Sequence, residues 1–283
     1  MTVKIVTDSV SDLPKEIVKS LGITVIPMVV KFGDEYYLEG IDLSEEQFYN
    51  KLVTSEIFPV TSVPPPEVFI QAYNKLAQET DEILVISVSS KLAAAYNVAQ
   101  QAVSLAKSKC KIEVIDSNWA AMAQGMIVIA VAEAAKKGAS LEELKQIAHV
   151  TMARVDLHAT FDTLEYLRRG GRIGHARAFV GSVLKTNPIV TLRNGIVEPV
   201  TQARSRAKAV DLLVEFVKSF SEVEKIAVED AACSEEAEIL VKQLSSLFPK
   251  VPVYRSRVTP SLGVHTGPGL LVVAVQGTGH RRS

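Results

Sequence analysis

The sequence predicts two domains: a Rossmann-like α/β domain with a parallel sheet over residues 1–155, then an α+β domain with a mixed or antiparallel sheet over residues 156–283. Three observations carry this. Strand, polar loop and helix recur in that order from Val3 to about Val155, and such repeats need crossovers that leave neighbouring strands parallel. From Asp156 on, paired glycines and an Asn194-Gly195 turn replace that rhythm, which is the signature of antiparallel hairpins. With 47% hydrophobic and 22% charged residues in 283, the chain has the apolar complement of one or two ordinary globular domains.

In order, Val3 to Val6 is a short apolar strand ending in T-D-S, Thr7 to Ser9. Asp12 and Pro14 open a helix with Ile17, Val18 and Leu21 on one side, stopped by Gly22. Ile23 to Lys31 is β-rich, and Gly33-Asp34 turns it back into Glu35 to Leu38. Ser44 with Gln47 reads as a capping box, with Phe48 and Leu52 on the buried face. The stretch V-T-S-V-P-P-P-E-V-F, Val60 to Phe69, places the hydroxyls of Thr61 and Ser62 in a loop before a proline-led helix start. Prolines fit a first turn whose N–H groups lack partners, Glu67 suits its positive end, and Val68, Phe69 and Tyr73 supply an apolar face. Two readings stand there: a stiff, capped helix, or a place to hold a small oxyanion.

Ile83 to Val88 reads as a buried strand, followed by S-S-K-L-A-A-A-Y, Ser89 to Tyr96, and an alanine-rich helix. Ile112 to Ile115 is the next strand; Asp116-Ser117 leads into a helix reaching about Lys137, ended by Gly138. Ser140 with Glu143 caps the one after it. Ligands bind at the carboxyl ends of strands in such sheets, which is where Thr7-Asp8-Ser9, Ser89-Ser90 and Asp116-Ser117 fall. In the second half, His158 to Phe161 is a strand and Y-L-R-R-G-G-R-I-G, Tyr166 to Gly174, breaks a helix. Ala176 to Leu184 is helix-like, and Pro188 to Leu192 and Ile196 to Val200 form the hairpin. Two helices flank the strand Lys225 to Val228, and Val253 to Arg255 is a further strand. A glycine loop, G-V-H-T-G-P-G from Gly263 to Gly269, precedes the strand Leu270 to Val275, and the tail from Gly277 to Ser283 frays.

Composition and motifs exclude several functions. A net charge of −1 provides no field toward nucleic acid or membrane. The two cysteines, Cys110 and Cys233, form no metal or disulfide pattern, so no metal or cofactor is expected. The amino-terminal end reads as a strand rather than a signal peptide, no apolar run is long enough to span a bilayer, and the default location is cytosolic. Neither G-x-G-x-x-G nor a P-loop nor a G-x-S-x-G elbow occurs.

Three constellations remain. Ser90, Asp116 and His265 can be drawn as a hydrolytic triad acting on a small carboxylate or ester, though sequence separation does not test the geometry. His265 stands between glycines beside Thr266, where the backbone can bend toward an anion. Arg168, Arg169, Arg172, His175, Arg177 and Lys185, with Arg204, Arg206 and Lys208, form a basic stretch without interleaved aromatics. That pattern suits a solvated face or a docking patch better than a nucleic-acid site.

The chain resembles the DegV family of bacterial fatty-acid-binding proteins. The likeness rests on T-D-S-x-x-D-L (Thr7 to Leu13), Thr61-Ser62, S-S-K-L (Ser89 to Leu92), Asp116-Ser117, Y-L-R-R-G-G-R-I-G, the N-P-I and N-G hairpin, A-R-S-R-A-K-A and H-T-G-P-G. It implies one long-chain fatty acid in a tunnel between the two domains, held rather than turned over. For some members it also implies an acyl kinase partner that phosphorylates the presented carboxylate. Carried over by position, the carboxylate-holding threonine is Thr61 and the loop histidine is His265. The family's serine ligand falls on Ala93, with Ala94 and Ala95 for the neighbouring glycine and threonine; Ala121 and Ala123 replace another serine and glycine. The resemblance therefore leaves the head group to Thr61, backbone N–H groups near Ala93 and His265, or else the ligand differs. The ligand-side residues are thus Thr61, Ser62, Ser90, Ala93, His265 and Thr266. Arg172, whose guanidinium the paired glycines would aim outward, joins Arg204 and Arg206 as the partner-docking set, with internally paired arginines as the alternative.

Overall fold

The computed structural model describes residues 2–106, 109–180 and 186–280. The first strand, β1 (Lys4–Asp8), ends in a short 3₁₀ turn closed by Asp12 in the left-handed region, and α1 (Lys15–Leu21) follows, stopped by Gly22. The β-rich run after it is cut in two. β2 (Thr24–Ile26) pairs with β1, whereas β3 (Val29–Phe32) and β4 (Glu35–Leu38) form an antiparallel hairpin in another sheet. Pro27, which has no N–H to give a ladder, stands at the break. The capping box of α2 (Glu45–Thr54) forms as read, with Phe48 and Leu52 buried. Thr61 and Ser62 are not in a loop: they belong to β5 (Val60–Ser62), paired antiparallel with β3, and α3 (Pro66–Leu76) starts four residues later.

β6 (Glu82–Ser87), α4 (Ala95–Leu105), β7 (Lys111–Asp116), α5 (Ala121–Lys136) and α6 (Leu141–Arg154) complete this half. β2, β1, β6 and β7 lie side by side in that order, all parallel. α5 is buried along nearly its whole circumference, as a helix apolar all round must be. It packs on β1 and β6 on one side and on β8 (Val155–Thr160) and β13, the last strand, on the other. At Gly125 the Ser11 carbonyl comes so close that no side chain fits between.

The mixed sheet begins at β8, directly after α6. α7 (Glu165–Arg169) ends at Gly170, and β9 (Asn187–Arg193) and β10 (Ile196–Ala203) form the hairpin, with Asn194 and Gly195 both at positive φ. α8 (Arg206–Lys218), β11 (Glu222–Asp230), α9 (Ser234–Leu247), β12 (Val253–Arg257), α10 (Pro260–Thr266) and β13 (Leu271–Thr278) follow. The order is β10-β9-β8-β13-β11-β12, antiparallel except for β11 with β12.

Three expectations change here. Residues 174–179 form a 3₁₀ turn instead of the start of a regular helix, and 181–184 lie outside the described residues, as does Lys185. The segment read as a glycine loop is helical through Thr266, because Thr259-Pro260 starts α10 and Gly263 fits tightly against Phe48 and Tyr49. Of the tail read as frayed, Gly277 and Thr278 continue β13 and His280 stacks on Phe220, while 281–283 lie outside the described residues. No helix among the described residues is long and apolar enough to cross a membrane.

Candidate functional site: an apolar cavity with a polar end

Between the carboxyl ends of the parallel strands and the inner face of the mixed sheet lies a cavity of about 480 Å³. Alternation along the strands supplies its wall. Leu157 and Ala159 of β8, and Val190 and Leu192 of β9, stand two residues apart and so share a face. Val10, Val88, Ala93 and Ala121, each just beyond a parallel strand, close the opposite side. All but seven of the lining residues are apolar; the polar ones are Thr61, Ser62, Arg172, Thr191, Ser261, His265 and Thr266.

The hydroxyls at the strand ends do not themselves face this space. Asp8 accepts from Val88 N, Ser87 Oγ and Gln124 Nε2, Thr7 donates to Ile86 O, and Ser89 Oγ donates to Gly195 O. The convergence legible in the sequence is a web tying the loops together, and the apolar residues that follow each loop form the wall.

One end of the cavity is polar. Thr61 Oγ1 lies 2.9 Å from His265 Nε2, across 204 residues of sequence. The partner of Thr61 is thus an imidazole on α10 instead of the first turn of its own helix. Burial, helped by the Arg172 cation, lowers His265 from 6.5 to about 4, so the ring is neutral at pH 7. Its Nδ1 is buried without a partner and lies against Gly170, where a Cβ would overlap it.

Arg172 points inward, correcting the expectation of an outward guanidinium. It lines the cavity, donating from Nε to Leu92 O at 3.0 Å and from Nη1 to Gly170 O at 2.7 Å. The left-handed turn at Gly171 folds the chain back, and Arg172 N itself donates to Leu167 O. Among the described residues it makes no ion pair. A positive charge, a hydroxyl and a neutral imidazole therefore meet at the end of an apolar space.

Ala93 lines the cavity, but its N–H and that of Leu92 are both taken by Ser89 O. The free donors nearby belong to the first turn of α4, whose N-cap residue Ala94 makes no side-chain bond. Ser62 and Thr266 are also in the wall. Ser90 is not; its N–H donates to Asp116, which also accepts from Asn118 N. Ser90 meets Asp116 only through its backbone N–H, and no hydrogen bond among the described residues joins either to His265, so the triad is not assembled.

The other basic residues are mostly engaged at the surface. Arg168 pairs with Glu165, Arg169 covers the Phe58 ring at 3.8 Å, His175 meets Glu198, and Arg177 donates to Gly174 O. Arg206 is held by Glu236 and approaches Asp162 and Cys233, the internal pairing weighed as the alternative to docking. Arg204 is exposed.

A sequence profile of the DegV family of uncharacterised proteins matches residues 2–277. The chain belongs to the DegV family. Protein DegV of Bacillus subtilis is 32% identical over 276 residues, covering 96% of this chain and 98% of that one. A DegV domain-containing protein of Streptomyces coelicolor is 34% identical over 278 residues, covering 96% and 98%. Among solved structures, a DegV family protein from Thermus thermophilus, described for its fatty acid binding, superimposes with a TM-score of 0.90 at 27% identity, covering 98% of this chain and 100% of that one. DegV of Bacillus subtilis, described as a fatty acid binding protein, gives 0.88 at 31% identity, covering 98% and 100%. These DegV structures share the α/β fold found here.

Sequence reasoning missed the inward Arg172 and the residues that fix α10. Thr259 is held by Asp12, and Ser261 N donates to Glu39 at 3.1 Å. The Thr-Pro pair at 259–260 was the available signal for a helix there.

Proposed function

We propose that this protein is a non-catalytic carrier that binds one long-chain fatty acid in the 480 Å³ cavity. The observation that carries this reading is Arg172, a cation without an anionic partner among the described residues, beside Thr61 and neutral His265 at the end of an apolar wall. A carboxylate supplies the missing charge and accepts from the hydroxyl and the guanidinium. The two structural relatives described as fatty acid binding support the choice of ligand. About fifteen methylenes at roughly 0.8 kcal/mol each give on the order of 10 kcal/mol of gross burial, so the tail dominates affinity and the head sets orientation. A further part of the reading is that the bound acid is presented to an acyl kinase, with exposed Arg204 toward that partner. The chain is read as two domains dividing near Val155, with the ligand between them.

Native mass spectrometry of the purified protein tests the ligand. An added mass equal to one fatty acid is expected, exchangeable for palmitate. Protein that carries no lipid and shows no saturable palmitate binding refutes it.

A further inference from the structure

The helix that carries His265 is held at its start by carboxyl groups from the first half of the chain. Asp12 Oδ1 accepts from Thr259 N at 3.1 Å and from Thr259 Oγ1 at 2.6 Å. Glu39 Oε1 accepts from Ser261 N, and its other oxygen accepts from Ser9 Oγ at 2.6 Å. Reciprocally, Glu229 of β11 reaches across to accept from Met122 N, in the first turn of α5. Glu229 is paired opposite Val272, a cavity-wall residue, so its side chain leaves the mixed sheet on the cavity side. Asp12, Glu39 and Glu229 are all buried, and Asp12 Oδ2 and Glu229 Oε2 have no partner.

Ser256, paired opposite Glu229 on β12, donates from Oγ to Asp12 O, which brings the two residues to one seam. Two neighbouring buried carboxyls with unpartnered oxygens cannot both ionise cheaply. We propose that Asp12 and Glu229 carry one proton as a pair and, with Glu39, act as positioning residues that set α10, and hence His265, against Thr61.

The charges around the pair fit this. Burial, and after it the Glu229 charge, raise Asp12 well above its ordinary value, with a smaller contribution from Glu39. Burial pushes Glu229 from 4.5 up to about 8, opposed by Arg255 and reinforced by Asp230. Arg255 is itself engaged by Asp230 and Glu238. Tyr49, which also senses Asp12, is raised by burial, and Cys233 is pushed up to about 12, so neither titrates near neutrality. Asp12 and Glu39 also border a surface groove of about 1100 Å³. When the proton leaves, a second negative charge appears near Asp12, which holds the root of α10, and loosens it.

The test reads His265 in the full-length protein without ligand, by NMR of histidine-labelled samples, with the signal assigned by His265→Gln. Because His265 titrates near 4, any change between pH 7 and 9 reports its surroundings. Wild type is expected to show an inflection between pH 7 and pH 9. Asp12→Asn keeps the acceptor for Thr259 and removes that residue's charge permanently; Glu229→Gln does the same for the other member of the pair, so that one variant serves if the other does not fold. Both should remove the inflection, whereas Asp12→Ala should displace the His265 signal at every pH. No inflection in wild type, or an unchanged one in the two conservative variants, overturns the proposal.

The consequence for retention rests on the fatty-acid reading. Palmitate should bind at least threefold more weakly at pH 9 than at pH 7 in wild type, with equal affinities in Asp12→Asn. Failure of palmitate to bind at any pH, with the NMR inflection intact, refutes the ligand and supports the positioning role.

Discussion

Thr61 and His265 meet side chain to side chain at 2.9 Å, one on the edge strand of the small antiparallel sheet and the other in the last turn of α10. Neither local sequence foretells the other, and the contact exists only because α10 packs against β3 and β5. A neutral imidazole can either donate to or accept from the threonine hydroxyl, so Thr61 can turn its own proton toward a bound anion.

Thr61→Val keeps the shape and removes the hydroxyl. Palmitate affinity should fall by about 1–3 kcal/mol, the range of a hydrogen bond to a charged group. Titration calorimetry giving an unchanged Kd would remove Thr61 from the head-group site.

Gly170→Ala tests the seat of His265. A methyl group there overlaps Nδ1, whereas at Gly171 there is open space but a positive φ of 70°. Gly170→Ala should weaken palmitate binding at least tenfold by displacing the ring. Gly171→Ala should lower Tm through backbone strain, on the order of 1 kcal/mol, and leave affinity unchanged. Equal effects of the two on binding would contradict this.

Much of the fold was legible because its signals are local. The capping boxes at Ser44 and Ser140 and the Asn194-Gly195 turn each carry their own instruction, and all form. Misreadings arose where distant contacts decide. Pro27 divides one β-rich run between two sheets, and Gly263, read as flexibility, is a close approach of α10 to Phe48 and Tyr49. Thr61 and His265 each stand out in the sequence, but Arg172 reads there as an outward, partner-docking residue, because the glycines before it say that the chain turns and not which way.

Ala93 lies in the cavity wall, at the position where the family resemblance expects a serine ligand. Ala93→Ser should tighten palmitate binding by about 0.5–1.5 kcal/mol, the net worth of one added hydrogen bond. A crystal structure with palmitate whose carboxylate lies far from residue 93 would defeat this expectation.

His158 gives a pH dependence that can be separated from the site. It stacks on Phe216 at 3.8 Å, and burial lowers it from 6.5 to about 4. The unfolded chain therefore binds a proton that the folded chain refuses between those values, so this group's stability is complete above 6.5 and is lost as pH falls toward 4. At about 1.4 kcal/mol per pH unit it amounts to roughly 3 kcal/mol. The raised buried acids act in the opposite direction, favouring the folded state on acidification. His158→Phe keeps the stack and removes the proton. Urea unfolding at pH 7 and pH 4.5 should show a smaller loss for the variant than for wild type, and identical losses would exclude His158 as a source.

Arg172 and Arg204 should separate by function although both belong to the same basic stretch. Arg172 holds Leu92 O and Gly170 O and presents its charge to the cavity, with no ion pair among the described residues. Arg172→Ala should therefore cost palmitate about 1.5–3 kcal/mol, as for a lost charge-assisted bond. Arg172→Lys should recover part of it, since an ammonium keeps the charge but cannot span two carbonyls with a rigid fork. Arg204 is exposed, so Arg204→Ala should leave palmitate affinity within about 0.5 kcal/mol. If the bound acid is handed to an acyl kinase, the same Arg204 change should slow its phosphorylation, because a guanidinium grips carboxylate or phosphate in two bonds. The Arg206 ion pairs make Arg206→Ala a control for stability, with a lowered Tm expected from the loss of Glu236. Palmitate affinity that is unchanged by Arg172→Ala would move that charge out of the head-group site. A phosphorylation rate indifferent to Arg204 would remove this residue from the docking surface.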